Sequence, residues 1–520
     1  MKTDSERLNI LLLVFGLSLA AYVRFLPALT VGFPVTDGGL FYAMVKALQA
    51  SRYALPAFVE YNGVSIPFAY PPIGFYAAAF VSDIFRLPLT EALRWIPAAG
   101  SLLFVIAFYP MALAVLKSPL KGTLATVFFA LLPRSVSWYV MGGGITRVWG
   151  HIFLMLVLWS AYQLFTAPSK KYLALTILFS GGIVLSHPEA SMHAVFLCLA
   201  LWLFYGRSKE GSKNALLTAL GITLLTSPFF LTVVSRHGFA PYVNAAQTGF
   251  QSPLAWVAIL TGSFADEKFV TLISALALLG LVVTLVRREF LLAVWLFLPA
   301  IVNPRSAASI SIIPWAMLAS VAFVDVVLPG LAFLREKARE DFDLEKNWSA
   351  HFMKSAAIKF ALTALIFYAF AGAVLSDQVY PKVSLSESDR AALDWVNRNI
   401  PAGSRFVVVT GETEAFADAV SEWFPALTES VSVATVQGYE WLPGFKNKLD
   451  DYYALQACIH KDFKCVEDWS GNTKRDFEYA LVSQDGLEEN GNPLVSSLTA
   501  AAGYRAVYQK GDAAIFQKNP

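Results

Sequence analysis

Charge is scarce in this sequence. Only 15% of its 520 residues are Asp, Glu, Lys or Arg, where an ordinary soluble domain carries about a quarter. Much of the chain therefore has no water-facing surface to present. The charges nearly cancel, 40 basic against 38 acidic residues for a net +2, which leaves no electrostatic footprint for a nucleic-acid partner. Three cysteines are too few for a disulfide framework. A Gly-rich phosphate loop, a dinucleotide fingerprint and a Ser-His-Asp set are all missing where topology would allow them, so a nucleotide-sugar donor is not expected. No small-residue cleavage site follows the first apolar stretch, which is expected to stay as a helix. There is no low-complexity tract and no clear internal repeat.

Apolar residues are abundant. Hydrophobic residues make up 56% of the chain, with 40 Phe, 13 Trp and 20 Tyr, and the mean hydropathy is +0.54. Crossing ~30 Å of hydrocarbon takes about 20 apolar residues as helix. Eleven stretches read as spans, near 9–29, 95–116, 122–141, 148–166, 172–188, 190–206, 214–234, 269–286, 290–302, 308–329 and 355–375. Lys117 and Lys121, Lys170 and Lys171, Arg207 to Lys213, Arg287 and Arg288, and Arg335 to Lys354 fall on alternate connections. That bias marks the cytoplasmic side, with the N-terminus on it. An odd number of spans then puts the tail outside. The expectation is an α-helical polytopic protein of the cell membrane, residues 1–378 with a first external loop at 30–94, followed by a small extracytoplasmic soluble α/β domain at 379–520. Asn347-Trp-Ser349 matches a glycosylation sequon but falls on the cytoplasmic side.

The tail has soluble texture. Ser386-Glu-Ser-Asp389 carries a helix N-cap signature, with the helix running to Ile400-Pro401. Phe406–Val409 and Tyr479–Val482 read as strands, Tyr452–Val466 as helix, and 504–517 as a closing hairpin. Cys458 and Cys465 either pair locally or stay as thiols in this oxidising compartment. Glu422, Trp423, Glu440 and Trp441 set aromatic faces beside acids, a combination used by sugar-binding surfaces; a Trp-rich core with surface acids accounts for the same residues.

The first external loop holds the most chemistry. It opens Phe33-Pro-Val-Thr-Asp37-Gly-Gly, passes Glu60, and reaches Phe68-Ala-Tyr70-Pro71-Pro72, with Glu60 and Tyr70 as candidate substrate-binding residues. A carboxylate just past a membrane helix and flanked by glycine can face a boundary cavity and take a proton. Alternatively Asp37 caps the amphipathic helix over 38–50, which shows Leu40, Met44 and Leu48 on one face. Basic residues on this side run against the positive-inside bias: Arg147 after Gly142-Gly-Gly144, Arg236 with His237, and Arg305. The guanidinium fork suits a phosphate, and snorkelling or a salt bridge is the competing use. His187, Glu189 and His193 are candidate ligands for a divalent metal (Mg, Mn or Zn), since Glu189 and His193 share a helical face. A hydrogen-bonded polar patch explains the same residues. His151, one turn past Arg147, is expected on the same cavity. Asp266-Glu-Lys268 reads as a solvated helix start. Ionisable residues mid-membrane are nearly absent, which disfavours a transporter.

With these residues in view, the sequence resembles the GT-C membrane glycosyltransferases, among them protein mannosyltransferases, the aminoarabinose transferase and oligosaccharyltransferase catalytic subunits. The resemblance rests on an acid in the first external loop, a following amphipathic helix and a Tyr-Pro-Pro stretch. It is nearer still to uncharacterised prokaryotic membrane proteins grouped beside them, through Gly142-Gly-Gly-Ile-Thr-Arg147, Ser186-His-Pro-Glu189, Glu422-Trp-Phe-Pro-Ala-Leu-Thr428 and Gly438-Tyr-Glu-Trp441. The resemblance implies transfer of a sugar from a polyprenyl-phosphate carrier to a protein, lipid or glycan acceptor on the external face, with inversion. Asp37 matches the general base, and outer basic residues would neutralise the carrier phosphate. Many members carry two adjacent acids where this sequence has Asp37 followed by Gly-Gly. That departure keeps open a non-catalytic membrane subunit or assembly factor whose external domain binds a partner or glycan.

Overall fold

The computed structural model describes residues 3–248, 271–333, 348–487 and 491–519. Asp266 to Lys268, Asn347 of the sequon, most of the 335–354 connection and the start of the 269–286 stretch lie outside the described residues.

Each of the eleven apolar stretches is largely helical over its described residues. Among those residues, seven helices are long and apolar enough to cross a membrane: Asp4–Val31, Leu89–Leu116, Gly144–Thr166, Pro188–Tyr205, Lys209–His237, Ala307–Ala332 and one beginning at Ala356. The 122–141 stretch is an eighth only if a pair bent by 84° counts as one span. It breaks at Leu132, which is extended because it precedes Pro133, and the proline has no N–H to continue the ladder. The stretches expected at 172–188, 269–286 and 290–302 form helices of 15, 15 and 12 residues. At 1.5 Å per residue these reach roughly 18–23 Å, short of ~30 Å of hydrocarbon.

One charge of the first span is buried within the bundle. Arg24 of the first helix is wholly buried. Its guanidinium donates to Ser101 Oγ at 3.1 Å, to Ser135 O and Oγ at 2.9 Å each, and to Ala130 O at 3.4 Å. Buried Asp377, at the end of the Ala356–Asp377 helix, contributes an attractive charge. A lone Arg in an apolar window is tolerated here because neighbouring helices supply acceptors that lipid cannot.

The segment expected as a first external loop carries regular structure. Helix Gly39–Ala50 buries Leu40, Met44, Val45 and Leu48. Strands β1 (Phe58–Tyr61) and β2 (Val64–Pro67) pair antiparallel across Asn62-Gly63, both at positive φ, the backbone of a tight hairpin turn. Helix Ile73–Phe85 follows.

Beyond Asp377 the chain forms a five-stranded sheet in the order β4-β3-β5-β7-β6. Strands β3 (Arg405–Val409), β4 (Val431–Ser432) and β5 (Tyr479–Ser483) run parallel; the β6 (Tyr504–Lys510) and β7 (Ala513–Lys518) hairpin runs antiparallel. Ser386 and Asp389 form a capping box at the start of Glu387–Asn399. The helix expected over 452–466 is divided: Phe445–Gln456, a 3-10 turn Ala457–His460, then Phe463–Thr473. A disulfide between Cys458 and Cys465 joins that turn to the third piece.

Alternation along the strands gives the sheet two apolar faces. Val407, Val409 and Phe516 pack under the helices that carry Leu455 and Leu494. Phe406, Val408, Leu481 and Ile515 belong instead to a core shared with Phe33, Leu40, Met44, Tyr61 and Phe75. The tail and the first external segment therefore bury one common apolar surface.

Candidate active site at the junction of bundle and tail

Asp37 lies in a short connection between Val31 and Gly39 that is fixed from two sides. From the bundle, Val35 bridges Met141, Gly142 N–H donates to Val35 O at 2.8 Å, and Gly143 N–H donates to Asp37 Oδ1 at 2.7 Å. The glycines are required by closeness. A Cβ on Gly142 would lie 2.1 Å from Asp37 O, and one on Gly143 would lie 2.6 Å from Asp37 Oδ2. From the tail, Glu422 Oε1 accepts from Gly38 N–H at 3.2 Å and Leu40 N–H at 3.1 Å. Trp423 Nε1 donates to Thr36 O at 3.0 Å. Ser384 Oγ accepts from Thr36 N–H at 2.9 Å, on a residue held at positive φ.

These contacts decide what Asp37 does locally. It makes no side-chain cap on Gly39–Ala50; Glu422 satisfies those first amides in its place. Asp37 is left aimed at the glycine turn. Burial pushes its carboxyl up, and the Gly143 N–H and the nearby Arg147 charge pull it down. Burial, then the Asp37 charge, push Glu422 up to about 8. Yet Asp37 keeps accessible surface, as do Tyr70, Arg147 and Glu440. Side chains surrounded by protein but still accessible line a crevice.

Arg147 donates to Trp138 O at 2.8 Å and lies over the Trp138 ring. Tyr70 OH meets Thr146 Oγ1 at 3.3 Å, one residue before Arg147. The charges of Arg147, Glu189 and Arg305 all reach Tyr70, and Arg305 also bears on Glu440. Next to this group opens a cavity of about 500 Å³, walled by Pro71, Met192, Phe230, Tyr242 and Trp441, with Glu189 and Arg305 as its charged members. Trp441 packs edge-on against Tyr70, which ties cavity to crevice. The arrangement offers a proton acceptor at Asp37, guanidinium groups suited to a phosphate, and an apolar chamber alongside Tyr70.

Several expected residues are placed elsewhere. Glu60 lies on the outward side of β1, where Val59 and Tyr61 point in, and accepts from Ser65 Oγ across the hairpin. Arg236 donates to Leu55 O at 2.8 Å and Pro56 O at 3.2 Å, and His237 packs edge-on against Phe58. Both fasten the hairpin rather than enter the crevice. Glu422 and Trp423 are buried against the first segment, so they present no sugar-stacking surface. His187, Glu189 and His193 do not converge as ligands. His187 caps the helix it precedes, with Nδ1 accepting from Ala190 N–H; Glu189 faces Arg305 at 3.8 Å; His193 Nε2 contacts Ser306 Oγ at 2.8 Å. Among the described residues no three His, Cys, Asp or Glu side chains are grouped to hold a metal ion. His151 shares the Arg147 side of the bundle, its Nδ1 on Arg147 O and its ring near His187. Gly142, Gly143 and Thr146 take part without having been expected by role, although the triple glycine was the visible signal.

No family model matches the sequence, and no curated protein matches it. Solved structures do. The archaeal oligosaccharyltransferase AglB from Archaeoglobus fulgidus, in complex with an inhibitory peptide and a dolichol-phosphate, superposes with a TM-score of 0.62 at 14% identity, covering 94% of this chain and 70% of that one. ArnT from Cupriavidus metallidurans bound to undecaprenyl phosphate gives 0.59 at 12% identity, covering 97% of both chains. The fold is the one these two solved membrane transferases share. Arabinofuranosyltransferase AftD from Mycobacteria shares it with a TM-score of 0.56 at 14% identity; 97% of this chain covers 40% of that much longer one. The GT-C likeness thus takes in both the helical bundle and the tail.

Proposed function

We propose that this chain is a membrane glycosyltransferase that takes a sugar from a polyprenyl-phosphate carrier, with Asp37 as general base. One observation carries the reading: a partly accessible carboxyl, held by the Gly143 N–H and beside Arg147, next to a cavity whose cation is Arg305. The acceptor hydroxyl or amide attacks the anomeric carbon and passes its proton to Asp37. The bond from that carbon to the carrier phosphate oxygen breaks with its electron pair, and the anomeric centre inverts. Arg147 and Arg305 offset the charge left on the phosphate. The apolar walls at Phe230, Tyr242 and Met192 suit the first isoprene units of the carrier. The acceptor is a protein, lipid or glycan on the face where the tail lies, which the charge bias places outside the cell membrane.

The test is Asp37→Asn in the organism that carries the gene. With membrane insertion unchanged, glycan output read by mass spectrometry should fall by about 10²–10⁴-fold, the usual worth of a positioned base. Unchanged output would remove the catalytic reading. The non-catalytic alternative has one observation in its favour: Glu422, the acid next to Asp37, is engaged on two backbone amides, leaving Asp37 without a free acidic neighbour there.

A further inference from the structure

A second cavity, of about 360 Å³, lies at the opposite end of the bundle. Leu89–Leu116 runs between the two ends: Arg94 Nε donates to Ala28 O near Asp37's end, and Leu116 lines the second cavity. Between Arg94 and Leu116 that helix rises by about 33 Å. Lys117, Lys121, Arg287, Arg288, Glu289 and Asp325 supply its charge, four cations against two acids. Asp325 sits in a π-helical turn, Phe323–Val327, paired with Lys121 at 2.9 Å and with Arg287. Lys117 and Arg288 carry no ion pair among the described residues. Leu116, Leu292 and Val321 supply apolar parts of the same wall.

We propose that this cavity binds the phosphate of an anionic phospholipid headgroup. Lys117 and Arg288, which have no ion pair among the described residues, attract the phosphodiester, while Asp325 engages Lys121 and Arg287 beside them. Its surroundings favour a lipid over free phosphate. Phe204 and Phe290 at the rim are 42% and 46% exposed, and neighbouring Val286 is 78% exposed. Such side chains lie against acyl chains, so the cavity opens where a headgroup meets hydrocarbon. Basic pockets between helices on the cytoplasmic side bind anionic headgroups by this combination. The site stands apart from the proposed transfer chemistry and does not depend on it.

Full-length protein in detergent is titrated with phosphatidylglycerol, phosphatidylcholine and inorganic phosphate, with retention read by native mass spectrometry. Phosphatidylglycerol should be held selectively. The Lys117→Ala/Arg288→Ala variant should lose roughly 30-fold in its retention, the equivalent of ~1 kcal/mol for each cation. The two single variants, each with a partial loss, serve if the double variant misfolds. Equal retention of both lipids, or a variant that holds phosphatidylglycerol like the parent, overturns the proposal. Full displacement of phosphatidylglycerol by millimolar inorganic phosphate overturns the lipid assignment.

Discussion

Glu422 is the residue on which the junction's titration turns. Burial and the neighbouring Asp37 push its carboxyl up to about 8 from 4.5, and burial pushes Glu440 up to about 7. A raised carboxyl means the folded chain holds a proton that the unfolded chain gives up. The stability linked to that proton is complete below about pH 4.5 and is lost as pH climbs through about 8. The melting temperature of the full chain in detergent should accordingly fall between pH 5 and pH 9. Glu422→Gln keeps an amide oxygen for the Gly38 and Leu40 N–H groups but has no proton to lose, so its decline should be shallower. A parent protein that gains stability across that window contradicts the assignment. Glu422 also shows where the sequence stops being legible. Its acid-aromatic setting reads as a surface, and only contacts from residues some 380 positions earlier make it an interior cap. Asp37 was legible because glycine and a helix end mark it locally. Glu60 was misplaced because presence in an external segment says nothing about which side of a strand a residue occupies.

At the scale of elements, the Gly142–Gly144 turn needs its glycines for a steric reason. Gly143 has φ −66, which any residue adopts, so its side chain is excluded by Asp37 rather than by backbone strain. Gly143→Ala should cost about 1–3 kcal/mol through overpacking and displace the carboxyl, lowering transfer more than the melting temperature alone explains. Gly471, in the Phe463–Thr473 helix, is the contrast: a Cβ added there would meet nothing within 4 Å. Gly471→Ala should be neutral or add up to ~1 kcal/mol by helix propensity. Equal damage from both would deny the turn its special role. Helix existence was readable from apolar runs, and the capping box at Ser386 marked a boundary to the residue. Helix lengths were less readable, since hydropathy at 172–188 or 290–302 does not reveal where the hydrogen-bond ladder stops. The division of 452–466 at Lys461-Asp462 likewise has no apolar break to announce it.

For the whole molecule, the placement of charge predicts that the N-terminus and the tail lie on opposite sides of the membrane. Cysteine introduced at exposed Glu429 should react with a membrane-impermeant thiol reagent in intact cells, and cysteine at exposed Arg207 only after permeabilisation. The reverse pattern would put the Asp37 crevice inside the cell and end the carrier-lipid reading. The architecture as a whole was open to sequence reading because a bilayer permits few solutions. The shared core was not, since nothing local in Phe33 or Phe406 tells that they pack in one cluster.

The clamp on residues 36–40 also has a consequence in time. Its two halves are made at opposite ends of translation: the acid emerges from the ribosome early, while Glu422 and Trp423 follow only after the Ala356–Asp377 helix has been made. Until then only the bundle half, through the Gly143 N–H, can hold the carboxyl, so the full clamp on its flanking residues exists only in the finished chain.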